Sequence, residues 1–208
     1  MRMRQIILTL AFILTTVLCF GQKEHLEPVK GFSQYEGVMK DYYDNVFLLL
    51  YRGYSEKPIA RYTSMPSFSS EYSFSIETIN GKEYVVSNRL SERYWNTKNR
   101  NRVELISNKT ELQSSLYLRI VDLFELLEEQ TKKPESDMIG LDGTTYYFAS
   151  TDRNGQIKIG KTWSPDDDSL LGKLVEICDN IYSLGNGNNI SQTEILKDID
   201  KLVHELNQ

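Results

Sequence analysis

Two Asn-Gly pairs, Asn80-Gly81 and Asn154-Gly155, each stand between segments in which apolar and polar residues alternate. Such a pair suits a tight turn whose central positions need positive φ, so it commits both flanks to antiparallel pairing. Around the first pair, Tyr72, Phe74 and Ile76 alternate with polar residues, and Tyr84 and Val86 do so on the return. Around the second, the paired segments are 144–151 and 156–162. Val103 and Leu105 suggest a further short strand. Residues 54–70, with Pro58, Pro66 and a serine cluster, read mostly as loop with a short strand at 59–63.

Other stretches follow the helical period. Tyr35, Val38, Met39, Tyr42, Tyr43, Val46, Phe47 and Leu50 form one stripe, with Ser33 and Glu36 as a capping box and Gly53 as a stop. A second stripe runs Leu112, Leu116, Ile120, Val121, Phe124 and Leu127, with Asn108 and Glu111 as its predicted cap and Pro134 beyond its end. Ser164-Pro165 and the acids Asp166, Asp167 and Asp168 read as a third helix start, carrying Leu170 through Tyr182 and closing at Gly185. Ser191 and Glu194 box a last helix bearing Ile195, Leu196, Ile199, Leu202, Val203 and Leu206. Hairpins with helices gathered around them predict one α+β domain: an antiparallel sheet with three to four helices packed mainly on one face.

The chain begins differently. Arg2 and Arg4 precede an uncharged, mostly apolar run from Ile6 to Phe20, and Cys19 and Gly21 supply small residues before a cut. This is the pattern of a secretory signal peptide over residues 1–21, too short for a spanning helix. Leu18 before Cys19 departs from a lipidation signal, so anchoring at Cys19 is the weaker reading. The expected organisation is signal peptide 1–21, flexible lead-in 22–32 and a single domain over 33–208. The product would be periplasmic or extracellular, without a transmembrane span in the mature chain. Removing residues 1–21 leaves 22 basic against 29 acidic side chains, a net −7, which argues against nucleic acid as the partner. One cysteine, Cys178, then remains; its place on an apolar stripe marks it as a buried small hydrophobe.

Gly155 to Thr162 satisfies G-x-x-x-x-G-K-[ST], the phosphate-cradling loop pattern. That chemistry needs an apolar strand before the first glycine and a helix opening at the lysine. Here turn residues precede Gly155, and Ile157 and Ile159 alternate, so the segment reads as a hairpin and no nucleotide cofactor is expected. Asp152, Asn154 and Gln156 lack the glycine position and closing glutamate of a calcium loop, and Asp166–Asp168 are accounted for as helix-start acids. No metal site is expected. A hydroxyl or thiol nucleophile lacks a partner base, since the only histidines are His25, in the lead-in, and His204, near the end of the last helix. No catalytic residue is assigned, although carboxylates such as Glu71 and Asp142 could be brought together by folding.

The segment 89–102 stands out, with five basic residues and one acid around Tyr94-Trp95 in an acidic chain. Arginine offers a bidentate fork to carboxylate, sulfate or phosphate, and aromatic rings offer rigid contact area. The ordinary alternative is a solvated connection facing the chain's own acids, nine of which lie in 164–208. The candidate binding residues are Arg93, Tyr94, Trp95, Arg100 and Arg102. The expectation is an exported, non-enzymatic binding or accessory protein recognising an envelope or extracellular protein, a peptide or an acidic glycan. The alternative is a small envelope hydrolase using a carboxylate pair assembled by the fold.

Overall fold

A computed structural model describes residues 25–29, 36–129, 131–133 and 142–207. The region read as a signal peptide lies outside them. The described strands are β1 (Glu27–Pro28), β2 (Arg61–Pro66), β3 (Tyr72–Ile79), β4 (Lys82–Leu90), β5 (Leu105–Glu111), β6 (Thr144–Thr151) and β7 (Ile157–Trp163). The helices are α1 (Gly37–Leu50), α2 (Ser114–Glu129), α3 (Leu170–Gly185) and α4 (Gln192–Leu206). The strands form one sheet in the order β1-β7-β6-β2-β3-β4-β5, every neighbouring pair antiparallel. The fold is α+β, as the hairpin pattern predicts.

Both hairpins form. Ile79 pairs with Lys82 across Asn80 and Gly81, which take φ of 54° and 77°. In the second, Thr151 pairs with Ile157, and of the turn pair only Gly155 is left-handed, at φ 76°. Asp152 explains the difference: its Oδ1 accepts from the Asn154 and Gln156 amides at 2.9 and 2.8 Å and holds a five-residue loop.

Alternation divides the sheet into two faces. On one, Tyr62, Phe74, Ile76, Val85 and Phe148 meet the apolar stripes of α2, α3 and α4. Helix α2 lies on β6 and β7, α3 on β3 to β5, and α4 closes over both helices. On the other face, Met65, Leu90 and Tyr147 meet Tyr43, Val46, Phe47 and Leu50 of α1. Of the described helices, three therefore cover one face and one covers the other.

Several local expectations give way to tertiary contacts. The short strand expected at 59–63 forms as Arg61–Pro66, longer than read and central in the sheet, where the prolines and serines suggest mostly loop. Tyr62 and Thr63 are completely buried between β3 and β6, and Pro66 stands at the strand end, where its missing N–H costs little. Residues 108–111, read as a helix cap, pair with β4 instead, and Thr110 Oγ1 donates to the Leu184 carbonyl. The second helix starts only at Ser114. The third starts at Leu170 and not at Ser164: Ser164 Oγ is engaged by the Thr144 amide, and Ser169 caps the helix by accepting from Gly172 N at 2.9 Å. The three aspartates consequently precede the cap. The first helix begins at Gly37, whose φ of 58° a right-handed helix cannot pass through. Glu36 makes no side-chain cap bond, and Ser33, the other half of the predicted box, lies outside the described residues. The Ser191 cap forms as read, accepting from Glu194 N.

Within the stretch read as a lead-in, residues 25–29 join the fold. Glu27 and Pro28 pair with Lys161 and Gly160, and Leu26 is 2% exposed. A Cβ on Gly160 would come within 2.8 Å of Leu26 Cδ1, so the second glycine of the phosphate-loop pattern answers to strand packing.

Candidate functional site at the loop end of the sheet

Strands β2, β4 and β7 end, and β3 and β6 begin, at the same edge of the sheet. The segment between β4 and β5 opens there. Its mouth is closed by the Ser91 amide donating to the Glu104 carbonyl at 2.9 Å, and by the Glu104 amide donating to Ser91 Oγ at 2.9 Å. A single 3-10 turn covers Arg100–Arg102, and Val103 is buried against the α1 face.

Glu71, completely buried, organises this end. Its Oε1 accepts from Tyr42 Oη at 2.5 Å and its Oε2 from the Tyr94 amide at 3.2 Å. The hydroxyl of α1 and the backbone of the 91–104 segment are thus tied to one carboxylate. Burial and, next, the Glu71 charge hold the Tyr42 phenol far above its ordinary range, so it remains a donor. Trp95 packs edge-on against Tyr42 with centroids 5.2 Å apart, and the Arg100 guanidinium lies 5.3 Å from the centre of the Tyr94 ring.

The sequence-predicted residues separate into two layers. Tyr94 is 6% exposed and supports the surface from beneath. Trp95 is 42% exposed and Arg102 is exposed, while Arg93 and Arg100 are half-buried. The buried Arg93 Nε has no hydrogen-bond partner among the described residues. Among those residues no ion pair joins segment 89–102 to the acids of 164–208. Phe68, 74% exposed after β2, and Trp163, at the end of β7, open onto the same end.

The remaining candidates have structural duties. Asp152 closes its hairpin and lies 3.4 Å from Lys158 Nζ, and the turn amides point at its carboxylate. Lys161 and Thr162 sit within β7, not at a helix start. Cys178 is completely buried, and burial pushes its thiol well above the ordinary range. His25 is packed among Leu26, Leu127, Leu170, Leu171, Leu174 and Leu206, beside a cavity of about 10 Å³, rather than lying in a loose segment. Glu71 and Asp142 form no open pair: the first is enclosed with both oxygens bonded, and the second is exposed. Among the described residues no three His, Cys, Asp or Glu side chains are grouped to hold a metal ion, and no helix is long and apolar enough to cross a membrane.

Sequence reasoning missed Asp179. Its Oδ1 accepts from Tyr62 Oη at 2.8 Å and Tyr72 Oη at 2.7 Å. Burial raises its carboxyl above the usual range, and the two phenol bonds only partly oppose this. A sequence signal existed: Asp179 borders the apolar stripe of α3, directly after Cys178 and three residues before Tyr182. Compared with known proteins, the chain matches no family description, no curated sequence and no solved structure.

Proposed function

We propose that this chain is an exported, non-enzymatic binding or accessory protein whose recognition surface is the loop end of the sheet. The observation that carries the reading is Trp95, left 42% exposed on a platform fixed by Tyr42, Tyr94 and the buried Glu71. A large ring held in place loses little conformational freedom on binding, and exposed aromatics beside arginines suit the centre of a contact surface. Arg93, Arg100 and Arg102 favour an anionic partner surface, on a protein, a peptide or an acidic glycan, and the acidic remainder of the chain would repel it elsewhere. Export rests on the basic opening and apolar run of residues 1–21.

Crosslink-and-capture mass spectrometry from the envelope fraction tests the reading, comparing the processed chain with a Trp95→Ala, Arg102→Ala variant. Tyr94 stays intact because its loss would disturb the platform. A partner captured by the first and lost by the folded variant supports the assignment, whereas equal capture by both overturns it. Intact-mass analysis of the exported form should show a chain beginning at Gln22, and retention of residues 1–21 would contradict export by a cleaved signal.

A further inference from the structure

A second surface lies on the three-helix face of the sheet, at the same end. Asp179 of α3 is half-buried there; burial raises the phenols of Tyr62, Tyr72, Tyr146 and Tyr182, and the Asp179 charge adds to the rise of each. Tyr62 is completely buried and forms the floor, with Tyr146 stacked on it at 5.9 Å. Tyr72 packs on Tyr182 at 4.5 Å, and Tyr72, Tyr146 and Tyr182 are all half-buried. Both phenol hydrogen bonds fall on Oδ1, and among the described residues Oδ2 takes none. No described lysine or arginine pairs with Asp179. Arg89 stands opposite Tyr72 in the β3–β4 register and partly opposes the rise that burial gives the Tyr182 phenol, yet makes no such pair.

We propose that Asp179, with Tyr72, Tyr146 and Tyr182 around it, is a binding site for a cationic nitrogen group, an ammonium or guanidinium. A carboxylate removed from water among rings, without a counter-charge, is stabilised by an incoming cation that donates to Oδ2. The accessible rings add favourable contact with the same cation. The two phenols fix the carboxylate through Oδ1 and leave Oδ2 free to accept at little further cost in ordering. The exposed Asp167 adds, after burial and Asp179, to the rise of the Tyr146 phenol and so contributes further negative potential there. This site does not depend on the Trp95 surface.

The test is carbon NMR of the processed protein carrying labelled aspartate carboxyls, titrated with n-butylammonium or n-butylguanidinium chloride at constant ionic strength. n-Butanol serves as the neutral control. Saturable shifts at the Asp179 carboxyl and the Tyr146 and Tyr182 rings are expected, together with a fall in the apparent pKa of Asp179 at saturation. Asp179→Asn keeps an acceptor for both phenols and should weaken the ring response at least tenfold. Should that variant not fold, the displacement of the wild-type pKa decides alone. Linear shifts, an equal response to butanol, an unaltered response in Asp179→Asn, or an Asp179 already paired with Arg89 would each overturn the proposal. A preference between the two probes distinguishes a lysine-like from an arginine-like ligand.

Discussion

The two faces of the sheet solve the same burial problem with different chemistry. The three-helix face is closed by apolar side chains, among them Phe74, Ile76, Phe124, Leu174 and Ile199, all at most 1% exposed. The α1 face buries Arg61, Thr63, Ser73, Ser75, Glu77 and Asn88 with its apolar residues. There each of these side chains has a specific partner, although Asn88 Oδ1 takes none among the described residues. The Arg61 guanidinium lies 4.6 and 5.1 Å from the ring centres of Tyr51 and Tyr54 and donates to the Ser55 carbonyl, while Glu77 accepts from the Ser55 amide. Asn88 Nδ2 donates to the Leu50 carbonyl at 2.6 Å, and the single Tyr54 O–H lies within 3.1 and 3.2 Å of the Ser73 and Val86 carbonyls. Apolar packing tolerates small shifts and loses stability by volume, whereas a buried polar network loses whole partners at once. The α1 face therefore positions loops, and the three-helix face supplies the bulk of the core.

Substitutions that separate these chemistries should rank accordingly. Phe74→Ala on the three-helix face removes a completely buried ring packed edge-on against Phe124, and should cost about 3–5 kcal/mol. Denaturant unfolding with an unchanged slope would check it. Glu71→Ala on the α1 face strands the Tyr42 hydroxyl and the Tyr94 amide, and should cost about 2–3 kcal/mol. A red-shifted Trp95 emission should accompany that loss, and Glu71→Gln, retaining one acceptor, should recover part of it. If the two variants were equally destabilised without the emission change, the contrast between the faces would fail. Trp95→Ala removes an edge-on ring pair and should cost about 1 kcal/mol.

Asp179 is a half-buried carboxylate on the largely apolar face, and its pH dependence sharpens the contrast. Because burial raises its carboxyl, the folded state keeps the proton to higher pH than the unfolded chain. Its contribution is fully present below the usual aspartate range and is lost as pH rises through the raised value. Thermal melts should show Asp179→Asn gaining on the wild type across that window, a smaller effect than the Trp95 loss; a parallel pH profile for the two would contradict it. The smallest effect belongs to Lys161→Ala, within about 0.5 kcal/mol and with no change in ATP binding, since the lysine lies in a strand. A micromolar ATP affinity abolished by that change would restore the phosphate-loop reading.

Hairpins and helices with strong local signals were legible from residues alone. Asn80-Gly81, the Ser191 cap and the stripes of α3 and α4 fold as their spacing predicts. The failures have a common form. Residues 64–66, 108–111 and 164–169 have local sequences that suit loop, cap and helix start, and each is overruled by contacts with residues distant in the chain, while the strand expected at 59–63 is extended into a central one. Of the candidate surface, the sequence identified the basic segment but could not divide it into a buried Tyr94 and an exposed Trp95.

By itself the sequence determined the α+β class, the antiparallel pairing, the apolar helix faces and the concentration of basic and aromatic residues in 89–102. These depend on φ preferences, periodicity and composition, which act over a few residues. Only the tertiary structure decided that β2 is central, that α1 covers the opposite face, and that Glu71 joins Tyr42 to the Tyr94 backbone. It alone set Asp179 among four tyrosines. Those outcomes depend on which strands become neighbours, and the free energy of burying one residue's polar group is set by partners supplied from elsewhere in the chain.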